Sequence, residues 1–337
     1  MESAENWVLE NMSSLSDTSD NYITIGELQQ SGYLEAKRVI NPITDEEMNG
    51  CVVIKYDKSY NQYTYQYNEN SCNDIEVENS CDTVILGKKI ATGEVVCNDP
   101  DLNPRYIGSD PDNYVEFNGE LWRIIGKFNG KTKIIRNTNF ESTIYYFPVW
   151  DQDDSNNWNV STLQKELNET YLSTIQTNNA THYSYIDLTH SWEIGAVTWD
   201  EGYDSTRNQL YNLERANTPA GSTGATATWQ GAIGLIYPSD FGYSSSSQIS
   251  SCETEALHNW NNYEECYSSS WLYDAESYFT ITSNSDDSNR VQYVYSRLEN
   301  SAANESISSR PVLFLKDNVI ITSGTGDYND PYKLGTN

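Results

Sequence analysis

Residues 114–137, YVEFNGELWRIIGKFNGKTKIIRN, decide how the chain is read. Three runs rich in β-branched and aromatic residues, Tyr114–Phe117, Leu121–Phe128 and Lys131–Arg136, have strand composition. They are joined by Asn118-Gly119 and Asn129-Gly130. Asn-Gly favours a two-residue type I′ turn because both residues tolerate positive φ, and that turn matches the twist of the strands it connects. The pair of Asn-Gly joints predicts three consecutive antiparallel strands.

Downstream, Trp158–Tyr171 reads as a helix capped by Ser161, with Leu163, Leu167 and Leu172 on one side. Ile186–Trp199 is apolar with a strand-like centre, and residues 218–228 form a loop of small residues. Trp229–Pro238 reads as a buried strand ending in a turn. Trp271-Leu272 opens a run of short Tyr/Phe/Val strands, and Arg310–Leu315 is a last core strand before a Gly-rich tail.

Upstream, the polar, Pro-containing segment Cys97–Pro104 reads as a linker. It divides the chain into domains at 1–100 and 105–337. The first domain opens with a helix over Glu2–Leu15, whose Ala4, Trp7, Val8, Met12 and Leu15 recur every three to four residues. A short helix over Thr24–Leu34 uses Ile25, Leu28 and Leu34. Asn41-Pro42 blocks helix, since Pro lacks a donor and disfavours αR at the residue before it. Gly50–Tyr56 and Gln62–Tyr67 read as a hairpin. The fold class is α+β.

Composition limits the functional classes. The chain has 337 residues, 37% of them hydrophobic, enough for two packed domains. It has no apolar run of about 18 residues and no secretory signal. The polar, mid-helix character of ESAENW after Met1 reads as a start within a helix rather than a natural N-terminus. The net charge of −29, from 49 acids against 20 bases, argues against nucleic acid and against attraction to an anionic bilayer. An acidic surface rich in Asn, Ser, Thr and Tyr suits an extracellular protein. Five Asn-x-Ser/Thr sequons (Asn11, Asn159, Asn168, Asn179 and Asn304) match chance in such a composition and imply no glycosylation.

Six cysteines occur, four before residue 100 and two after 250, with no CxxC pair and no histidine at ligand spacing. Disulfides in an oxidising compartment are the expected state, rather than zinc. Cys252–Cys266 pairs by isolation. The other four allow three connectivities, of which Cys72–Cys81 with Cys51–Cys97 is preferred.

The sequence ITI…L…GYL…NP…G…V.I.YD over about residues 1–70 resembles the globular head of Gram-positive type IV pilin-like proteins, minor pilins and pseudopilins. The resemblance implies that the first helix continues an apolar helix that packs a filament with other pilin subunits. Over 105–334, FNGELWRIIG and SSWLYDAESYFTIT…SSRPVLFLK resemble the C-type-lectin-like fold. That fold is shared loosely by lectins, formylglycine-generating proteins and bacterial variable ligand-binding domains. The resemblance implies a loop-rich antiparallel ligand-binding domain. The chain departs from it in lacking the Glu-Pro-Asn and Trp-Asn-Asp calcium pattern and the paired catalytic cysteines of the formylglycine enzymes.

Candidate chemistry is sparse. GxSxG is absent and only three histidines occur, which disfavours a Ser nucleophile. With 49 acids, carboxylate pairing carries no specific signal for a glycosidase. Asp151, Asp153 and Asp154 offer clustered oxygens for calcium, without the Gly and terminal Glu of an EF-hand loop. The stronger lead is aromatic. The chain has 26 Tyr and 9 Trp, and Trp260, Tyr263, Tyr267, Tyr273 and Tyr278 lie in Ser/Asn/Asp-rich surroundings typical of binding surfaces. The expectation is a non-enzymatic, pilus-associated adhesin at the cell surface, binding a glycan or protein through 105–337. A purely structural pilin or a secreted carbohydrate-active hydrolase is the alternative.

Overall fold

The structure is a computed structural model that describes residues 2–11, 21–34, 50–57, 62–68, 83–91, 94–97, 103–141, 148–246, 249–274 and 276–337. The chain is a mixed α/β protein with several antiparallel sheets. It divides into two compact units, Met1–Ser80 and Cys81–Asn337. No described helix is long and apolar enough to cross a membrane.

In the smaller unit, Cys51–Asp57 is the middle of a three-stranded antiparallel sheet, between Asn21–Thr24 and Gln62–Asn68. Alternation puts Val52 and Ile54 on one face. There they pack with Ile23, Leu28 and Val8 of the Glu2–Asn11 helix. The expected helix over Thr24–Leu34 is shorter. Thr24 ends a strand and pairs with Cys51, so the helix is confined to Ile25–Gln30. Gly32, at φ 79°, stops it in the left-handed region that glycine adopts without strain. Met12 and Leu15 of the expected first helix lie outside the described residues.

The Asn-Gly meander organises the larger unit. Tyr114–Phe117, Glu120–Phe128 and Lys131–Arg136 pair in sequence order, and Asn118, Gly119, Asn129 and Gly130 all have positive φ. These strands belong to a seven-stranded antiparallel sheet. Its path runs Ile233–Gly234, Val312–Phe314, Lys131–Arg136, Glu120–Phe128, Arg105–Tyr106, Val95–Val96, with Tyr114–Phe117 also on Glu120–Phe128. Because Val95–Val96 pairs with Arg105–Tyr106, the residues flanking the expected linker are neighbouring strands of one sheet. The division therefore falls about twenty residues earlier than the sequence places it. Gly126 permits this pairing, since a Cβ there would lie 2.3 Å from the Pro104 carbonyl oxygen.

The expected single helix over Trp158–Tyr171 is compound. A 3-10 turn (Trp158–Val160) leads to a short α segment capped by Ser161, whose Oγ accepts from Gln164 N. A π segment, Glu166–Tyr171, follows, and the helix resumes over Leu172–Asn178. Within the π segment the Asn168 amide donates to Ile233 O (2.8 Å) and accepts from Ala232 N and Ile233 N. It thereby ties down the edge strand of the main sheet.

The Cys252–Cys266 disulfide is present and buried. Cys51 and Cys97 are each disulfide-bonded. The other preferred pair, Cys72–Cys81, lies outside the described residues.

Candidate functional site

Lys131 and Lys133 are two apart on one strand and therefore share a face. Lys131 stands at the rim of a cleft of about 500 Å3, and Lys133 lies at its floor with no exposed surface. The strand reads KTKIIR, whose alternation places Ile134 opposite in sense to both lysines. Yet Thr132, Lys133, Ile134 and Ile135 are all buried. The register shift between Lys133 and Ile134, a β-bulge, re-aims the side chains locally, and both faces of the sheet are covered.

Four aromatic rings line the cleft: Phe128, Phe314, Tyr211 and Tyr237. Phe128 precedes the second Asn-Gly turn, and Phe314 ends the neighbouring strand. Tyr211 comes from the Arg207–Glu214 helix, which is fixed at its start by a Thr206/Gln209 capping box. Tyr237 immediately precedes Pro238, the first residue of the next helix. His190, Ser191, Glu193 and Thr228 close the far side from the small Ser191–Glu193/Thr228–Gln230 sheet.

Lys131, Lys133 and Arg215 are each paired with a carboxylate. Lys131 Nζ lies 2.5 Å from Asp187 Oδ2. Lys133 Nζ donates to Asp240 Oδ2, which also accepts from Tyr237 N at 2.9 Å. Arg215 Nη1 donates to Glu214 at 3.2 Å, and its Nε lies 3.5 Å from Glu193. The Arg215 guanidinium lies 3.6 Å from the Tyr211 centroid and 4.8 Å from that of Tyr237, a cation–π sandwich. Beneath, the buried Arg105 lies over Phe128 at 4.3 Å and over Tyr243 at 5.0 Å.

These environments move the protonation equilibria. Burial pushes Lys133 down to about 8, with Asp240 opposing. Burial alone would raise Asp240, but Lys133 and Arg105 hold it below the usual carboxylate range, so the pair is ionised at neutral pH. Burial pushes Glu214 up to about 7 against the pull of Arg215 and of Ser239, which donates to it through N (2.8 Å) and Oγ (2.5 Å). Burial lowers His190 to about 4, outweighing Asp187, whose Oδ2 is 3.3 Å from Nδ1. The neutral imidazole stacks on Phe314 with centroids 3.7 Å apart.

None of the residues singled out from sequence lines this cleft. Trp260 is fully buried against Phe241, and Tyr278 is a core residue whose hydroxyl donates to Leu272 O, so neither presents a binding surface. Tyr263, Tyr267 and Tyr273 are half-buried. Tyr267 meets Tyr273 at 5.0 Å, and Tyr273 meets the exposed Tyr295 at 6.0 Å, forming a small aromatic ladder. The carboxylate of Asp151 accepts from Thr162 N, Thr162 Oγ1 and Ser155 N. That of Asp154 accepts from Asn289 Nδ2 and Asn304 N, while Asp153 is exposed. Among the described residues, no group of three or more His, Cys, Asp or Glu side chains is placed to hold a metal. Sequence reading missed Lys133, Glu214 and Asp240. The only trace of them was Lys133 beside the Ile134-Ile135 pair of a strand and an acid at the third position after Tyr237; nothing marked Glu214.

Comparison with protein families, with curated proteins and with solved structures finds no match to this chain.

Proposed function

We propose that the chain is a binding protein displayed at the cell surface, with the ligand held in the cleft between Lys131, Arg215 and the four aromatic rings. One observation carries this reading. The cleft joins stacked rings and hydrogen-bonding ion pairs in a concavity of about 500 Å3, within the size range of small-molecule sites. Binding is favoured over turnover because the perturbed groups are already engaged. Lys133 is closed off by Asp240, and Glu214 is fully buried beneath Ser239. Neither reaches a reacting atom as nucleophile or proton donor.

The smaller unit would serve as the attachment, its first helix joining other subunits of a type IV pilus-like filament. The exposed Leu9 on that helix supports this, being an apolar side chain open to a partner. The Tyr267–Tyr273–Tyr295 ladder would add contact to a surface glycan or protein. The test is binding of the purified chain to an immobilised glycan and protein panel. Arg215→Ala and Tyr211→Ala should each abolish retention while the near-ultraviolet circular dichroism is kept. Retention unchanged in both folded variants rules the cleft out. Immunogold labelling of whole cells that decorates no filaments rules out the pilus assignment separately.

A further inference from the structure

The charges of the cleft identify what it accepts. Four cations gather there: Arg105, Lys131, Lys133 and Arg215. Four carboxylates face them: Asp187, Glu193, Glu214 and Asp240. On a chain of net charge −29, such a basic group would otherwise be the natural trap for an anion. Here Lys131, Lys133 and Arg215, the cations that line the cleft, are each paired with a carboxylate, and Arg105 beneath them is opposed by the charge of Asp240. An incoming carboxylate or phosphate would meet Lys131 and Arg215 with Asp187 and Glu193 already beside them, and would be repelled by those resident carboxylates. A cationic ligand would meet Lys131 and Arg215 at the rim.

We infer that the ligand of this cleft is neutral and polyhydroxylated, a pyranose ring of a neutral sugar; this rests on the cleft being the binding site proposed above. The polar groups are suited to hydroxyls. A paired ammonium and carboxylate present a donor and an acceptor side by side, which matches a hydroxyl that both donates and accepts. Lys131 has two N–H groups beyond the one spent on Asp187. Glu193, half exposed, has acceptor capacity beyond Arg215. Asn103, Asn129, Ser191 and Thr228 complete the polar wall. The C–H face of a pyranose is apolar, and Tyr211, Tyr237, Phe128 and Phe314, though mostly buried, give the cleft wall the apolar atoms it would contact. The neutral His190 adds a ring without adding charge.

The experiment is saturation-transfer NMR and calorimetry on the full chain. The probes are the methyl glycosides of glucose, galactose, mannose and N-acetylglucosamine, with glucuronic and galacturonic acids as the matched anions. At least one neutral glycoside should bind, and its uronic acid should bind at least about tenfold more weakly. Glu193→Gln removes one resident carboxylate at an exposed position and keeps its shape. It should narrow that preference several-fold, whereas a bystander role for Glu193 would leave the ratio unchanged. A uronic acid that binds as well as its neutral partner, and is lost in Arg215→Ala, overturns the neutral-ligand inference while leaving the cleft as the site. If neither class binds, or if binding survives in folded Tyr211→Ala and Arg215→Ala, the cleft reading falls with it.

Discussion

Replacing Asp240 by Asn tests whether the floor of the cleft is held by a buried ion pair. Asp240 has no exposed surface; its Oδ2 takes the Lys133 ammonium and the Tyr237 N–H, and Arg105 faces it as a second cation. The amide keeps the shape but removes the negative charge hydrogen-bonded to Lys133. A buried charge stripped of its partner typically costs about 3–5 kcal/mol. Lys133 limits the loss, because burial already lowers it to about 8 and it can shed its proton when Asp240 no longer opposes that shift. The lower end, about 3 kcal/mol, is therefore expected near neutral pH, and less above pH 9. Urea unfolding followed by tryptophan fluorescence reads this directly. Of the 9 Trp, only Trp7 lies in the smaller unit. The midpoint should fall by on the order of 1 M urea at pH 7. The compensating double variant, Lys133→Met with Asp240→Leu, should recover most of the loss, since well-packed apolar replacements of buried pairs are commonly neutral or stabilising. A loss under about 1 kcal/mol in Asp240→Asn, or one unchanged between pH 7 and pH 10, would refute the pair.

Three further outcomes follow from the packing. Opening the Cys252–Cys266 disulfide with a Cys252→Ser/Cys266→Ser double change frees a loop closed across a sequence separation of 14, and should cost about 3 kcal/mol in the same urea assay. Gly126→Ala drives a Cβ to within 2.3 Å of Pro104 O, so it should cost more than about 2 kcal/mol and speed amide exchange at Arg105 and Tyr106. For pH, Glu214 rises from 4.5 to about 7 on folding, so the native state holds its proton longer; its contribution is whole below 4.5 and is lost as pH rises through 7. His190 falls from 6.5 to about 4, so its contribution is present above 6.5 and lost as pH falls towards 4. The two oppose each other between pH 4.5 and 6.5, and Glu214→Gln should leave the rising His190 limb alone, as denaturation midpoints across pH 4–8 would show.

The parts of the fold legible in sequence are those set by local chemistry. Asn118-Gly119 and Asn129-Gly130 favour positive φ at adjacent residues, and that preference, with the strand composition of the runs they join, placed three strands and two turns correctly. Ser161 was legible as a cap for the same reason, since its Oγ acts within one turn. The hairpin of Cys51–Asp57 and Gln62–Asn68 followed from β-branched and aromatic content. What failed depends on contacts distant in sequence. The linker reading of Cys97–Pro104 missed that Gly126, more than twenty residues on, lets Arg105 pair beside it. Trp260 and Tyr278 were read by their polar neighbours, but core packing against Phe241 and the Leu272 carbonyl decides their burial. The cleft was invisible for the same reason. Lys133 and Asp240 are 107 residues apart, and no local pattern marks either one as the other's partner.

Stability gives no reason for charges at that floor. Burying Lys133, Arg105, Glu214 and Asp240 removes four ionisable groups from water, and pairing does little more than offset the desolvation. Apolar side chains of similar volume would fill the same space at no greater cost. The ion pairs do achieve something apolar packing cannot. Asp240 holds the Tyr237 backbone and the Lys133 ammonium together, Glu214 holds Ser239 and Arg215, and Arg215 is clamped flat on Tyr211. Two of the four aromatic rings and the main rim cation are thus tied to buried carboxylates in addition to their own packing. A site built this way meets its ligand already ordered, so little conformational freedom is lost on binding. The same carboxylates offset the cations of the site. Orientation and selection against charged ligands therefore come from one set of side chains. A change such as Glu214→Gln should then alter ligand affinity through Arg215 and Tyr211 even though Glu214 itself is shut away from the cleft.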